Sequence, residues 1–177
     1  MVMREQRLRV ELPAVLSLGS NLGDREATLR AAVAEIAALP QVTVVAASGL
    51  VETDAVKLDG VDTDAPAYLN AVVMVRTSLD PDELLSALGA IEQEHGRVRD
   101  IRWGDRTLDI DIVDFGGLRV DTDRLTLPHP RAAERGFVLV PWLEIEPHAA
   151  LLARGRVDQL PAATLDDVRP YPARPLL

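Results

Sequence analysis

Runs of apolar residues separated by polar turns predict that this chain mixes strands with helices. Residues 15–18 form a short apolar run that ends at Gly19, a pattern typical of a buried strand. Apolar runs elsewhere predict three further strands, at residues 42–47, 68–76 and 108–115. A final apolar run at residues 137–140 is also compatible with a strand in the core.

Two stretches carry the residue spacing of an amphipathic helix. The first is expected to begin after an N-cap at Asp24 and to extend to about Leu39. Its apolar face is expected to carry Leu29, Val33, Ile36 and Ala37. The second begins with the capping sequence DPDE at residues 80–83 and ends at Gly96. Its apolar face is expected to carry Leu84, Leu85, Leu88 and Ile91.

The order of these elements predicts the fold class. Strand, helix, strand, strand, helix, strand is the split βαβ arrangement of ferredoxin-like folds, so we expect an α+β protein with an antiparallel sheet and both helices on one face. The polar residues 54–67 predict a long loop before the third strand. The 177 residues suit a single domain, with a core at about residues 12–150 and a C-terminal tail at about residues 155–177.

Composition excludes several functional classes. A hydrophobic content of 47% with 27% charged residues is typical of a globular protein. The chain has no cysteine, which excludes disulfides and thiolate metal sites. Its single lysine, Lys57, stands in no glycine-rich turn, which excludes a P-loop. We find no apolar signal-peptide segment and no run of about 18 apolar residues, so we expect a cytoplasmic protein without a membrane partner.

Residues 97–111, RVRDIRWGDRTLDID, concentrate charge of both signs. Four arginines in one short window of a chain with net charge -9 indicate a local anionic ligand, rather than a nucleic-acid surface. Guanidinium groups bind phosphate oxygens in a bidentate way. Asp109 and Asp111 follow, and on a strand two such carboxylates share a face about 6.5–7 Å apart. The stretch therefore predicts magnesium together with a polyphosphate.

Each of these features also has a plainer interpretation when it is taken alone. An isolated Asp-x-Asp on a strand is more often a pair of solvent-facing carboxylates than a metal site. The arginines could form solvated salt bridges with Asp100 and Asp105. Glu92 could be an exposed residue of its helix, and His129, between two prolines, could cap a turn. Phe137 could belong to a core strand.

Six motifs, in order, resemble the family of 6-hydroxymethyl-7,8-dihydropterin pyrophosphokinases. They extend over residues 15–147 and are LSLGSNLGD, YLNAV, IEQEHGRVR, RWGDRTLDID, LTLPHP and RGFVLVPW. The resemblance implies transfer of pyrophosphate from ATP to the hydroxymethyl group of the pterin, with release of AMP, in folate biosynthesis. It further implies two Mg²⁺ ions and a monomer whose partners are these small molecules alone, without nucleic acid.

The resemblance also implies a role for each candidate residue. The catalytic residues would be Arg97, Arg106, Asp109 and Asp111, with Asp109 and Asp111 as the metal ligands. The residues that contact ATP would be Glu92, Arg99, Trp103, Arg106, Ile112, His129 and Arg135. The residues that contact the pterin would be Thr53, Val56, Tyr68, Asn70, Trp103 and Phe137. A pterin is flat and hydrogen-bonding, so aromatic faces can stack on it and an amide can pair with its edge.

The chain departs from the family pattern beside the pterin residues. Asp54 stands where many members carry proline, and the segment at residues 54–67 is longer than the family's short form. Two alternative functions stay open. One is another magnesium-dependent nucleotidyl- or phosphotransferase with a different acceptor, and the other is a non-catalytic ferredoxin-like binding module.

Overall fold

A computed structural model of the chain describes residues 9–57, 60–62, 64–96, 107–164 and 167–177, apart from the side chains of residues 56, 57 and 62. In these residues the α-helices are Arg25–Ala38 (α1), Pro81–Glu94 (α2) and Gly136–Ile145 (α3). Short 3₁₀ helices span Ala132–Glu134, Val157–Gln159 and Pro161–Thr164. The strands are Leu12–Ser20 (β1), Val42–Ala47 (β2), Leu50–Thr53 (β3), Ala55–Lys57 (β4), Gly60–Asp62 (β5), Tyr68–Thr77 (β6), Asp109–Phe115 (β7), Val120–Asp121 (β8), Thr126–Leu127 (β9), Ala150–Leu151 (β10), Gly155–Arg156 (β11) and Arg169–Tyr171 (β12).

The main sheet has the predicted ferredoxin-like arrangement. Its strands lie in the order β12, β3, β6, β1, β7, and β2 pairs with the far end of β6. Every pair in this sheet is antiparallel. The strands β2 and β3 pair with successive parts of β6 and are separated at Ser48 and Gly49. The predicted order of elements is therefore confirmed, and the second predicted strand, residues 42–47, is β2. Strand β3 is an additional strand that the sequence did not predict.

The two faces of the sheet carry separate hydrophobic cores. One core joins α1 and α2 to alternate residues of the central strands, among them Leu16, Leu18, Leu29, Ile36, Leu84 and Leu88. The other joins α3 to the opposite face, with Val15, Val72, Val113, Val138, Leu139 and Trp142. Because successive strand residues point to opposite faces, the run at residues 15–18 serves both cores. The prediction that α1 and α2 share one face is confirmed.

The helix caps form as predicted, with one error on the face of α1. The side chain of Asp24 accepts a 3.0 Å hydrogen bond from the backbone N–H of Ala27. Asp80 and Glu83 form both bonds of a capping box. Ala37, predicted to be buried, is exposed, whereas Ala32 is fully buried. The buried residues therefore follow the i, i+3, i+4, i+7 spacing from Leu29.

Two segments differ from the sequence-based expectation. Residues 137–140 lie in α3, so the core-strand interpretation of Phe137 is wrong. This helix packs on the sheet and also against the 3₁₀ helices of the C-terminal part. Because it is buried on several sides, its sequence does not show the apolar spacing of a helix with one buried face. The predicted loop at residues 54–67 contains the antiparallel pair of β4 and β5. Among the described residues, no helix has the length and hydrophobicity needed to cross a membrane.

Candidate active site

One row of residues across the main sheet brings the two halves of the candidate site together. Antiparallel pairing places Asn70 of β6 opposite Gly19 of β1, and Gly19 opposite Asp109 of β7. Paired residues point to the same face of a sheet, and neighbouring strands are about 4.7–4.9 Å apart. Asn70 and Asp109 therefore stand on one face, about 10 Å apart, with a residue that has no side chain between them.

Gly19 keeps the space between these two side chains open. A Cβ atom at this position would lie 3.1 Å from Asn70 Oδ1 and 3.8 Å from Tyr68 Cδ1. Any larger residue would therefore press on the Asn70 amide. The row forms a shallow floor with an amide on one side and a carboxylate on the other.

Three of the residues predicted to contact the pterin lie together on the amide side of this floor. Thr53 of β3 pairs with Tyr68, which lies two residues before Asn70 on β6. Asn70 Nδ2 donates a 3.0 Å hydrogen bond to Thr53 Oγ1, and both side chains are buried. This bond fixes the orientation of the amide. Val56 belongs to β4, but its side chain lies outside the part of the chain that the structure describes.

The two aspartates on the other side of the floor project from β7 with the predicted alternation. Ile110 and Ile112 are buried in the core that contains α1 and α2, whereas Asp109 and Asp111 are partly exposed. The carboxylates therefore share the opposite face, as the i, i+2 spacing requires. Ile112 is 3% exposed, which leaves its backbone rather than its side chain for contact with a nucleotide.

His129 lies beside these carboxylates and is joined to β7 through its backbone. Its backbone N–H donates a 2.9 Å bond to the carbonyl of Val113. Its ring Nδ1 accepts from the backbone N–H of Arg131, at 3.1 Å, so the neutral ring carries its proton on Nε2. That nitrogen lies 3.8 Å from Asp111 Oδ2. The geometry places a hydrogen-bond donor beside the carboxylate.

The electrostatic surroundings of His129 favour its neutral form. Burial lowers the pKa of the ring, and the charges of Arg135 and Arg131 lower it further. Asp109 acts in the opposite direction and raises the pKa, but by less. The cationic surroundings of His129 are those expected for a site that receives an anion.

Arg135 connects the aspartates to the predicted aromatic contact. Its Nη1 lies 3.5 Å from Asp111 Oδ2, and its Cζ lies 5.6 Å from the centroid of the Phe137 ring. Arg135 is also the N-cap of α3, so the start of the helix fixes the position of its backbone. One guanidinium therefore lies between a carboxylate and an aromatic ring.

Glu92 is buried and is not the exposed helix residue of the plainer interpretation. Its side chain is 5% exposed, and its Oε1 accepts a 2.7 Å bond from the backbone N–H of Ile110. Glu92 also lines a groove of ≈ 370 Å³ between α2 and β7. Arg124, which the sequence analysis missed, lines the same groove and is held by Asp82 and Ser86. The sequence feature that could have drawn attention to Arg124 is its position immediately before the LTLPHP motif.

Four predicted site residues lie outside the part of the chain that the structure describes. They are Arg97, Arg99, Trp103 and Arg106. Their roles stay predictions that rest on the motif alone. The structure describes the residues on either side of them, which end at Gly96 and resume at Thr107.

The two aspartates form a donor set that suits magnesium bound together with a phosphate ligand. In residues 9–57, 60–62, 64–96, 107–164 and 167–177, no group of three or more histidine, aspartate or glutamate side chains converges as a metal cage. Magnesium usually keeps several waters and takes one or two carboxylates plus substrate phosphates. Asp109 and Asp111 match that partial set, whereas a metal held by protein ligands alone would need more donors.

Known proteins resemble this chain closely in sequence. Residues 15–147 match the family model of 7,8-dihydro-6-hydroxymethylpterin-pyrophosphokinase (HPPK). A 2-amino-4-hydroxy-6-hydroxymethyldihydropteridine pyrophosphokinase of Bacillus subtilis is 47% identical over 132 residues, which cover 75% of this chain and 77% of the relative. The enzyme of the same name from Pseudomonas aeruginosa is 40% identical over 148 residues, covering 84% of this chain and 89% of the relative.

Solved structures support the same fold. The HPPK-DHPS of Plasmodium falciparum, solved with pteroate, superposes with a TM-score of 0.64 at 15% identity and covers 88% of this chain. This chain spans 42% of that longer protein, so the comparison concerns one part of it. Taken with the family match and the close relatives, the chain belongs to the 7,8-dihydro-6-hydroxymethylpterin-pyrophosphokinase family, ATP-dependent enzymes that transfer pyrophosphate to hydroxymethyldihydropterin in folate biosynthesis.

Proposed function

We propose that this chain carries out the family reaction across the floor formed by Asn70, Gly19 and Asp109. The observation that carries the proposal is the register of β6, β1 and β7, which sets an amide and a carboxylate on one face with a glycine between them. The amide side receives the pterin, and the carboxylate side receives magnesium and the phosphates of ATP. The acceptor hydroxyl and the phosphate chain then meet above Gly19.

Asp109 and Asp111 hold magnesium in this proposal, and two ions are expected. Bound magnesium would neutralise the phosphate charge and lower the pKa of an attacking hydroxyl. Arg135 and His129 stand beside Asp111 and contribute a fixed cation and a neutral N–H donor toward the phosphates. Both groups are in place before the nucleotide arrives, so little reorganisation is needed.

The nucleotide extends from the aspartates along the side of β7 that faces α2. Glu92 accepts its hydrogen bond from Ile110 on this side, and Arg124 lines the groove next to Glu92. We assign the backbone of Ile112 to the nucleotide from the family motif. We assign Arg97, Arg99 and Arg106 to the phosphates and Trp103 to both substrates from the sequence motif. This stretch concentrates four of the 19 basic residues of an acidic chain within ten positions.

The pterin is held by hydrogen bonds on one side and by a ring on the other. Thr53 and Asn70 present a connected pair of polar groups to the edge of the heterocycle. Tyr68 lies beside them, and Phe137 of α3 offers an aromatic face whose orientation Arg135 helps to fix. Val56 completes the set that the family resemblance assigns.

The chemical step leaves little covalent work to the protein. The oxygen of the pterin hydroxymethyl group bonds to the β-phosphorus of ATP, the bond from that phosphorus to the α,β-bridging oxygen breaks, and AMP leaves. The hydroxyl proton passes to solvent, and no side chain is assigned as a base. Positioning and charge neutralisation therefore supply the catalysis. We further propose that the chain acts as one domain and as a monomer in the cytoplasm.

An AMP-release assay with ATP, magnesium and 6-hydroxymethyl-7,8-dihydropterin tests the proposed function. We expect AMP and a pterin that has gained two phosphate groups, identified by mass. Asp109→Asn and Asp111→Asn should each reduce turnover by at least about 100-fold, while the exposed Asp121→Asn serves as the matched control. Folded wild-type protein that binds magnesium-ATP but releases no AMP would contradict the proposal and favour a different acceptor or a binding module.

A further inference from the structure

We propose that the C-terminal strand β12 positions the pterin side of the site, through an ion pair between Arg169 and Asp54 and together with Arg25 of α1. The inference rests on the proposed function, since it concerns how Thr53 and Tyr68 are held. It assigns a positioning role to a part of the chain that lies beyond residues 15–147, which match the family.

Strand β12 lies directly against the strand that carries Thr53. Arg169 pairs with Glu52, Pro170 with Val51, and Tyr171 with Leu50. On its other edge, β3 pairs with β6. Strand β3 is therefore held on both sides, and β12 replaces what would otherwise be an open sheet edge next to the site.

Arg169 fixes the residue that follows Thr53. Its Nη2 donates a 2.9 Å hydrogen bond to Asp54 Oδ1 and lies 3.6 Å from Glu52 Oε1. The side chains of Arg169 and Asp54 are 46% and 45% exposed, so the pair adds little to global stability. Its effect is local, because it fixes the chain direction immediately after β3.

Arg25 fixes the same region from the other side. Its Nη1 lies 2.9 Å from Glu52 Oε2 and donates a 2.7 Å bond to the carbonyl of Ala67, the residue before Tyr68. Its Cζ also lies 5.8 Å from the ring centroid of Tyr171 on β12. The side chain of Arg25, 22% exposed, therefore contacts Glu52 just before the segment at residues 54–67, Ala67 at the end of that segment, and the C-terminal strand.

These contacts converge on a single pair of residues. Thr53 and Tyr68 are partners in the β3–β6 register and are also the two residues that flank the segment at 54–67. The last part of the chain is held as well, because Arg30 of α1 donates to the carbonyls of Arg174 and Pro175. The C-terminal strand and α1 thus form a clamp on the base of this segment, next to the Thr53–Asn70 hydrogen bond.

The test compares Arg169→Ala, Asp54→Ala and the double variant in the full-length chain. We expect each single change to raise the KM for the pterin by about 3-fold to 5-fold, the effect of an exposed ion pair. The KM for ATP and kcat should stay unchanged, and the double variant should be no worse than the single ones. Arg169→Lys should raise the pterin KM less than Arg169→Ala does. Arg156→Ala, which breaks an exposed arginine–aspartate pair elsewhere in the C-terminal part of the chain, is the matched control.

Hydrogen exchange of the unliganded protein gives a second readout that does not depend on catalysis. Amides at residues 50–54 should exchange faster in Arg169→Ala than in wild type or Arg156→Ala. An unchanged pterin KM, or an equal rise in the KM values for ATP and the pterin, would overturn the inference. A wild-type enzyme without activity would instead overturn the proposed function, while faster exchange would still support the clamp.

Discussion

Glu92 Oε1 accepts a 2.7 Å hydrogen bond from the backbone N–H of Ile110, the residue between Asp109 and Asp111. Among the described residues, β7 is the last strand of the main sheet, and no strand of that part of the chain pairs with this N–H on the outer edge. The bond ties α2 to β7 at the point where the two carboxylates leave the strand. A residue that we assign to the nucleotide thereby also fixes the strand that carries the two proposed metal ligands.

Glu92→Ala should destabilise the protein and reduce its turnover. The change leaves the N–H of Ile110 buried without its acceptor, which costs about 1–3 kcal/mol in the free energy of unfolding. Glu92→Gln keeps an oxygen acceptor, so its free energy of unfolding should fall less than that of Glu92→Ala. Urea unfolding and AMP release measure the two effects, with the exposed Glu94→Ala on the same helix as control. Equal stability of Glu92→Ala and Glu94→Ala would refute the structural role.

Gly19→Ala should weaken pterin binding more than it weakens the fold. The new methyl group would lie 3.1 Å from Asn70 Oδ1, so the amide must shift from the position that it holds with Thr53. We expect the pterin KM to rise by about tenfold, as for one disturbed hydrogen bond. Gly89→Ala on α2 is the control, because no atom of the described residues lies within 4 Å of its added Cβ. A pterin KM that stays at the wild-type value would mean that the floor is not the pterin site.

Arg135→Ala should lower kcat/KM for ATP. A guanidinium that bonds to phosphate contributes about 1.5–3 kcal/mol, which corresponds to a loss of about 10-fold to 160-fold. Arg135→Lys keeps the charge but not the planar fork and should be intermediate. Steady-state kinetics over a range of ATP concentrations measure kcat/KM for ATP. The control is Arg76→Ala, which removes an exposed arginine paired with Glu11. The assignment is wrong when both alanine variants behave alike.

Asp114→Asn should stabilise the protein at neutral pH and not in acid. Burial raises the pKa of Asp114, and the negative charge of Glu146 raises it further. A hydrogen bond from the Gly117 N–H lowers the pKa, but by less than burial raises it. The folded state therefore holds the proton more tightly than the unfolded state, and this contribution to stability is lost as pH rises through the folded pKa. Asparagine carries no charge and avoids that loss.

Urea unfolding of wild type and Asp114→Asn at a series of pH values checks this expectation. The stability difference should be small below the ordinary aspartate pKa and should grow in favour of asparagine above it. The exposed Asp121→Asn gives the baseline for removing a carboxylate from an acidic chain. A difference that is constant with pH would show that burial of the charge is not the cause.

Local patterns in the sequence determined the elements and the shared face of the two aspartates. The caps at Asp24 and Asp80 and the apolar spacing of α1 and α2 depend on neighbouring residues only. The structure confirms them except at Ala37, which is exposed. The common face of Asp109 and Asp111 follows from the alternation of a strand, which needs no knowledge of other segments. The family motifs, which are also read along the chain, indicated the reaction.

Contacts between distant segments were decided by the tertiary structure alone. The row of Asn70, Gly19 and Asp109 depends on the register of three strands, and the hydrogen bond of Glu92 depends on how α2 lies against β7. Residues 137–140 form part of a helix that the sequence pattern did not reveal. The helix is buried on several sides, so its apolar residues lack the spacing that would identify a helix. The contact of Arg169 with Asp54 joins residues far apart in the chain. Periodicity reports the direction in which a side chain leaves its own element, whereas register and packing depend on which elements meet.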